Sequence, residues 1–165
     1  MRIVGVLLAL VCSTAAFPEE PIVDHQPVVC SLPGKNARIC AYVADDGEVK
    51  RTRAYFRPAG KELFYWTDMT FDGIQYCATL PIAKSDVKGV DYYIWTIDDN
   101  FESKRTRTYT ISVVPEVTCE YPVFDDDPER TSNLEVNATS PKQGDTLEDF
   151  SDKGVVKYVP VTRKE

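Results

Sequence analysis

Seven short segments between residues 27 and 114 constrain the fold more than any other feature of this chain. Each segment is rich in β-branched and aromatic residues, and none shows the long 3.6-residue apolar period of a helix. The segments span residues 27–32, 37–43, 49–56, 62–66, 74–80, 90–97 and 106–114. Turn-forming Pro, Gly, Asp and Asn residues separate them. Because such strands have apolar faces to bury, the pattern predicts an all-β fold with a single seven-stranded β-sandwich over residues 27–115.

The N-terminal residues predict export to the extracellular space or the periplasm. Residues 1–16 combine one Arg, a short apolar run and a small-residue end, which is typical of a secretory signal peptide cleaved before Phe17. The run is shorter than the about 20 apolar residues that span a bilayer, and no later run is longer, so no transmembrane segment is predicted. Cleavage before Cys12, which would leave a lipid-anchored protein, is the alternative. Residues 17–26 are predicted to form a short extended leader.

The C-terminal residues differ in composition from the rest. Residues 116–165 contain 6 basic and 12 acidic residues, whereas residues 27–115 contain 12 basic and 11 acidic. The C-terminal segment is also polar and aperiodic, so we predict an acidic, mostly irregular tail over residues 116–165. Residues 154–161 predict one added strand, which would have to pair elsewhere because it has no sheet of its own. The net charge of −7 without a basic arm argues against nucleic acid as a partner.

The predicted sandwich resembles a known class of domain. Residues 49–57, 63–69, 79–81 and 90–98 are similar to the immunoglobulin-like or fibronectin type III-like modules of secreted bacterial proteins. The resemblance covers about residues 27–115 and implies an immunoglobulin-like strand order, in which the third and sixth predicted strands are neighbours. It implies no catalytic residue, because such sandwiches support many unrelated functions.

Alternation in these two strands predicts one exposed surface. In the sixth segment Asp91 begins one of the two registers, so we expect Tyr93 and Trp95 to face solvent and Tyr92 and Ile94 to face the core. With the third segment read in the same way, the outer side of the two neighbouring strands would gather six residues, here called the aromatic–arginine face. These are Arg51, Arg53, Tyr55, Arg57, Tyr93 and Trp95.

The aromatic–arginine face has two interpretations. One is a cation–π ladder that only stabilises the sheet. The other is a surface that recognises a protein partner, because Trp, Tyr and Arg are over-represented among interface hot spots. The acidic residues 125–127 of the chain's own tail are a further candidate to dock on these arginines.

Acidic residues concentrate in the loops that the immunoglobulin-like order would place at one end of the sandwich. Asp45, Asp46, Asp98 and Asp99 are the residues of this pole that could bind calcium, which takes six to eight oxygen ligands. The alternative is that they initiate turns and solvate the loop tips. The loops contain no calcium-binding sequence motif, so the expected metal is none.

Four cysteines remain once the signal peptide is removed, and an even number in an exported chain predicts disulfides. In the implied immunoglobulin-like order, Cys40 and Cys77 lie on antiparallel neighbouring strands, which favours a Cys40–Cys77 pair and leaves Cys30–Cys119. The rival pairing is Cys30–Cys40 with Cys77–Cys119. A zinc site is not expected, because there is no C-x-x-C pair and the one histidine, His25, lies in the leader.

No catalytic motif accompanies the sandwich. The chain contains no G-x-S-x-G, no H-E-x-x-H and no phosphate-binding loop, and no histidine lies within residues 27–115. We therefore predict a non-enzymatic protein without a cofactor: a secreted binding or adaptor module that recognises a protein partner. The alternatives are a structural spacer domain of an exported or envelope-associated assembly and a carbohydrate-binding module.

Overall fold

The computed structural model describes residues 19–162, which contain twelve β-strands, one short α-helix and two 3-10 turns. The strands are β1 (Ile22–Asp24), β2 (Cys30–Ser31), β3 (Arg38–Ala44), β4 (Val49–Pro58), β5 (Tyr65–Asp68), β6 (Thr70–Phe71), β7 (Tyr76–Thr79), β8 (Gly89–Asp98), β9 (Ser103–Arg105), β10 (Tyr109–Val113), β11 (Leu134–Ala138) and β12 (Val155–Val159). The helix, α1, spans Pro128–Thr131, and the 3-10 turns span Glu116–Thr118 and Pro141–Gln143. The all-β prediction is confirmed. The predicted signal peptide, residues 1–16, lies outside the described residues.

Twelve strands form two sheets of four and eight strands, so the prediction of a single seven-stranded sandwich is wrong in its strand number. One sheet has four strands in the order β1-β3-β7-β6, and the other has eight in the order β12-β11-β5-β4-β8-β10-β2, with β9 pairing β8. Each of the seven predicted segments overlaps one strand. The five additional strands are β1, β6, β9, β11 and β12, which are only two to five residues long. Of these, β12 was predicted as an added strand and β1 lies in the predicted extended leader, whereas β6 and β9 contain too few alternations to be recognised from their sequence.

The inner sides of the two sheets form one hydrophobic core. Ile39 of β3 packs in the same cluster as Phe56 of β4, Tyr92 and Ile94 of β8, and Ile111 of β10, and all five side chains are fully buried. Burial of side chains of this size stabilises the fold by about 1.5–3 kcal/mol each. The register predicted for the sixth segment is confirmed, because its inward-facing set is buried and its outward-facing set is only half-buried.

The N-terminal leader is part of the four-stranded sheet. Its residues 22–24 form β1 and pair antiparallel with β3, placing Ile22 opposite Ala44. Pro21, just before this strand, is fully buried. The leader is therefore extended, as predicted, and it contributes to the packed domain.

The tail, predicted to be mostly irregular, contains two strands and a short helix and packs against the rest of the domain. Strand β11 pairs antiparallel with β5, and β12 pairs parallel with β11. Val136 and Phe150 are 1% exposed, and the Phe150 ring packs edge-on against Phe56 at 5.2 Å between ring centroids. The added strand predicted at residues 154–161 is present as β12. The apolar signal of β11 is only five residues long and lies among acidic residues, which explains why the sequence pattern missed it.

Two disulfides connect the strands. Cys30 is bonded to Cys119, and Cys40 is bonded to Cys77, which are the two pairs favoured from the sequence. Cys40 and Cys77 lie directly opposite each other in the β3–β7 pair. The Cys30–Cys119 disulfide joins β2 to the beginning of the tail and is buried, with 8% and 3% of the two residues exposed.

Candidate binding face

The pairing of β4 with β8 assembles the aromatic–arginine face. In this antiparallel register Arg53 lies opposite Trp95, Tyr55 lies opposite Tyr93, and Arg57 lies opposite Asp91. All three β4 residues alternate with the buried Thr52, Ala54, Phe56 and Pro58, so their side chains point away from the core. Arg51 lies at the end of the row, opposite Ile97, and is more exposed than the others. The structure thus places all six predicted residues on one side of one sheet.

Three residues that were not predicted border the aromatic–arginine face. Trp66 on β5 is adjacent to Tyr55 in the β4–β5 register, Phe64 packs edge-on against Tyr93 at 4.9 Å between ring centroids, and Arg105 on β9 lies opposite Trp95. Alternation in residues 62–66 could have found the first two, because Tyr65 between them is buried. Arg105 precedes the seventh predicted segment and belongs to a separate strand, so alternation gave no signal for it.

Guanidinium groups and aromatic rings alternate across this surface. The guanidinium carbon of Arg53 lies 3.6 Å from the centre of the Trp66 ring, and that of Arg57 lies 4.3 Å from the centre of the Phe64 ring. Tyr93 stacks on Tyr55 with ring centroids 4.7 Å apart and planes within 6° of parallel. Each cation–π contact at an exposed site stabilises the fold by about 0.5–1 kcal/mol. The contacts hold these long side chains in defined positions, which lowers the entropy lost when they bind a partner.

The surface carries more positive than negative charge. Arg53 Nε donates to Asp68 Oδ1 at 3.1 Å, and Arg57 Nε donates to Asp91 Oδ2 at 3.2 Å, so two arginines are paired with carboxylates. Within residues 19–162 no carboxylate lies within salt-bridge distance of Arg51 or Arg105. Arg105 instead lies over Tyr93, with its guanidinium carbon 3.7 Å from the ring centre. These two arginines remain available to an anionic group.

The Tyr93 hydroxyl adds a neutral donor to the face. Burial raises the pKa of Tyr93, and the repulsion from a Tyr55 anion acts in the same direction, against the opposing charges of Arg105 and Arg57. The phenol is therefore protonated at neutral pH. It can donate one hydrogen bond beside the two cations.

Asp125 and Asp127 do not pair with the arginines of the aromatic–arginine face, so the structure does not bear out docking of the tail there, which was one of the candidates. The Asp125 side chain is fully buried at the side of β3, where Arg130 Nη2 lies 2.8 Å from Asp125 Oδ1 and Arg38 Nη1 lies 3.6 Å from Oδ2. Thr79 also donates its hydroxyl to Asp125. Asp127 caps α1 by accepting the N–H of Glu129 at 2.8 Å. Local partners therefore use these carboxylates and hold the tail against the smaller sheet.

Three of the four aspartates of the predicted calcium pole accept backbone N–H groups of the loops. Asp98 is 1% exposed, and its Oδ1 accepts the N–H groups of Asn100 and Glu102 at 2.9 and 2.8 Å. Asp45 accepts the N–H of Gly47 and Asp99 accepts that of Glu48, while Asp46 is exposed. Over residues 19–162 no group of three His, Cys, Asp or Glu side chains is arranged to hold a metal ion. The hydrogen bonds from Gly47 N to Asp45 and from Asn100 N to Asp98 are those of Asx turns.

Comparison with known proteins gives distant likenesses only. No protein family and no curated protein matches the sequence. Among solved structures, the SrpA adhesin of Streptococcus sanguinis is 18% identical over 79% of this chain and 73% of its own, with a TM-score of 0.41. An engineered protein is 14% identical over 61% of this chain, with a TM-score of 0.44, and this chain spans only 21% of it. Neither likeness assigns a partner or an activity to this chain. None of the helices within residues 19–162 has the length and apolarity of a membrane span.

Proposed function

We propose that this protein is a secreted, non-catalytic binding or adaptor module that recognises a protein partner through the aromatic–arginine face. One observation carries the proposal: the outer side of β5, β4, β8 and β9 presents Trp, Tyr and Arg side chains in mutual contact, with two arginines that no carboxylate of the described residues neutralises. These three residue types dominate the energetics of protein interfaces. They lie on a sheet, which is a rigid support for an interface.

The charge of the face specifies the partner's chemistry. Arg51 and Arg105 favour an acidic protein surface, because complementary charge accelerates association and excludes basic competitors. The chain as a whole has a net charge of −7, so the positive region is local and would orient the module on its partner.

A protein partner fits the face better than a sugar does. Sugar-binding aromatics present an open ring on which a pyranose can lie. Here β8 lies between β4 and β9, so the Tyr93 ring is flanked by Tyr55 on one side and Arg105 on the other. Trp66 is likewise covered by the Arg53 guanidinium. A carbohydrate would have to displace these contacts.

Secretion is supported by the two disulfides, which form and persist in oxidising compartments.

A non-catalytic role is supported by the only histidine in the chain. The His25 ring is held by Cys40 O and the Tyr92 hydroxyl, at 2.7 and 2.8 Å, and so is committed to internal hydrogen bonds.

We also propose that the two sheets belong to an immunoglobulin-type sandwich. The order β1-β3-β7-β6 in one sheet and β5-β4-β8-β10 in the other corresponds to strands A, B, E and D against C′, C, F and G of that fold. The parallel pairing of β2 with β10 extends the second sheet. On this assignment β11 and β12 are additions beyond C′.

Affinity capture from the exported proteins of the source organism tests the function. The mature protein is compared with Trp95→Ala/Arg105→Ala, which removes an aromatic and a cation from the face. The matched control is Tyr42→Ala/Phe71→Ala, which removes two residues that are each 54% exposed on the other sheet. A protein retained by the wild type and the control but lost with the face variant, and released by salt, supports the proposal.

Three outcomes contradict it. Equal retention of every captured protein by the face variant would place binding elsewhere. Capture of no protein at any ionic strength would favour the spacer role, and retention of a polysaccharide instead would favour a carbohydrate-binding module.

A further inference from the structure

The two disulfides of this protein lie in different environments. Cys30–Cys119 is buried beneath the start of the tail, whereas both cysteines of the Cys40–Cys77 pair are partly exposed on the outer side of the four-stranded sheet. A dissolved thiol must reach a sulfur atom along the S–S axis before it can exchange with the bond. Solvent access alone therefore predicts that Cys40–Cys77 exchanges with a dissolved thiol faster than Cys30–Cys119 does.

An open cleft of about 390 Å³ reaches the Cys40–Cys77 disulfide from one side. Cys77 lines this cleft together with Arg38, Asp72, Thr79 and Arg130, whereas Cys40 does not line it. Cys40 borders a separate cleft on the opposite side, near His25. A molecule in the first cleft is therefore next to Cys77 and not next to Cys40.

The charges around the two sulfurs differ in sign. Arg38 Nε lies 3.4 Å from Cys40 Sγ and donates to it, whereas Asp72 Oδ2 lies 3.5 Å from Cys77 Sγ. Because Cys77 is disulfide-bonded and carries no thiol hydrogen, the second contact is not a hydrogen bond. A neighbouring Arg stabilises a thiolate and a neighbouring carboxylate destabilises one. Cys40 is therefore the better leaving group of the pair.

We propose that Cys40–Cys77 is a site of thiol–disulfide exchange with small thiols, and that the attack occurs at Cys77. A thiolate in the cleft bonds to Cys77 Sγ, the Cys77–Cys40 bond breaks, and its electron pair leaves on Cys40 as a thiolate beside Arg38. The first product is a mixed disulfide of the small thiol with Cys77. A second thiolate then attacks the sulfur of the small thiol, releasing an oxidised thiol dimer and a Cys77 thiolate.

Arg38 links this site to the tail. Its guanidinium lies 3.7 Å from Asp72 and 3.6 Å from the buried Asp125, which Arg130 also holds. The charge that would stabilise the departing Cys40 thiolate is thus fixed in place from both sides. The position of this charge is therefore preorganised for cleavage in this direction.

Differential alkylation tests the proposal on the full mature protein. The oxidised protein is incubated with reduced glutathione under native conditions, quenched at intervals with an alkylating agent, digested and mapped by mass spectrometry. We expect Cys40–Cys77 to open at least about tenfold faster than Cys30–Cys119, with glutathione found on Cys77. Opening of both disulfides at one rate, or glutathione found on Cys40, would overturn it.

Two variants test the roles of the charges. Arg38→Met should slow the opening of Cys40–Cys77, and Asp72→Asn should accelerate it while keeping the side-chain oxygen that accepts the N–H groups of Ile74 and Gln75. Arg107→Met removes an exposed arginine elsewhere and is the control for net charge. Unchanged rates in both test variants would contradict the assignment of Cys40 as the leaving group. The wild-type adduct position is informative even where Arg38→Met folds poorly.

Discussion

The Tyr92 hydroxyl lies 2.8 Å from His25 Nε2 and 2.8 Å from the backbone nitrogen of Val28, beneath the N-terminal leader. His25 Nδ1 lies 2.7 Å from the Cys40 carbonyl oxygen and donates to it, so Nε2 of a neutral ring accepts from Tyr92. Burial raises the pKa of Tyr92 to about 12, which keeps that proton on the phenol. In a charged imidazole Nε2 carries a hydrogen and can no longer accept from Tyr92, so the hydroxyl would lose this acceptor and have to turn its own hydrogen away.

We therefore expect the protein to lose stability as the pH falls below about 6.5, the pKa of histidine in an unfolded chain. Burial lowers the pKa of His25 in the folded protein, against the Cys40 hydrogen bond, which acts to raise it. The neutral ring is favoured in the folded state, so its contribution is complete above the unfolded pKa and declines toward the lowered folded one. Urea unfolding at pH about 7.5 and about 5.5 measures the difference. His25→Gln should remove most of it, and an identical midpoint for the wild type at both pH values would contradict the prediction.

Asp125 is expected to anchor the tail. Burial acts to raise the pKa of this carboxyl, but hydrogen bonds from Arg130, Thr79 and the backbone of Asp127 outweigh it and lower the pKa to about 2. Asp125→Asn should destabilise the fold by on the order of 2–3 kcal/mol, because it leaves the cations without their shared carboxylate. Asp126→Asn, an exposed neighbour, is the matched control and should change little. Denaturant unfolding of the two variants measures the difference. Equal stabilities would show that the ion pairs of Asp125 do not stabilise the fold.

Acidification should also destabilise the fold, by protonating Asp125. Because the folded pKa of Asp125 lies below its unfolded value of about 3.9, its stabilising contribution is present above pH about 4 and is lost as the pH falls toward 2. The wild type should therefore be more sensitive than Asp125→Asn to acidification in this window. Circular dichroism melts at several acidic pH values provide the measurement. Parallel acid sensitivity of the two proteins would assign the effect to other carboxyl groups.

Phe150 should be as important to stability as a core residue of the two central strands β4 and β8. Its ring fills space against Phe56 and Tyr65, at 5.2 and 5.9 Å between ring centroids. Phe150→Ala removes these contacts and is expected to cost about 3–4 kcal/mol in unfolding free energy. Phe101→Ala, at a residue that is 84% exposed, serves as the control and should change stability by less than about 0.5 kcal/mol. A small loss for Phe150→Ala would mean that the tail is separable from the core.

A double-mutant cycle measures how much the contact between Arg53 and Trp66 stabilises the fold in the absence of any partner. We expect a coupling of about 0.5–1 kcal/mol between Arg53→Met and Trp66→Leu in the free energy of unfolding. Arg51→Met replaces Arg53→Met in the control cycle, since Arg51 makes no contact with this ring among the described cation–π pairs, and its coupling should be near zero. A coupling near zero in both cycles would show that the stacking does not stabilise the sheet, leaving recognition as its role.

The long central strands could be read from the sequence because their alternation is unambiguous. β4 and β8 each have ten residues, and the charged residue Asp91 distinguishes the outer register from the inner one. β11 has five residues and lies within an acidic stretch, so composition outweighed its weak alternation. The position of Phe150 against Phe56 depends on contacts between residues far apart in sequence, which local periodicity does not report.

The candidate site was also predictable only in part, namely where it lies on the long strands β4 and β8. Alternation placed Tyr93 and Trp95 outward, and the implied neighbourhood of β4 and β8 brought the arginines beside them. Arg105 and Trp66 join through β9 and β5, whose pairing partners no local pattern identifies. Charge complementarity alone could not show whether Asp125 pairs with Arg38 or with the arginines of β4.

The Cys30–Cys119 disulfide, with its sequence separation of 89, turns most of the domain into a covalent ring. Strands β2 to β10 lie inside the ring, and the aromatic–arginine face lies on it. A protease that cuts one exposed loop between these cysteines opens the backbone but releases no fragment, because both pieces stay bonded through the disulfide. In a compartment rich in proteases, a nicked molecule would keep its sheets together and could continue to hold its partner.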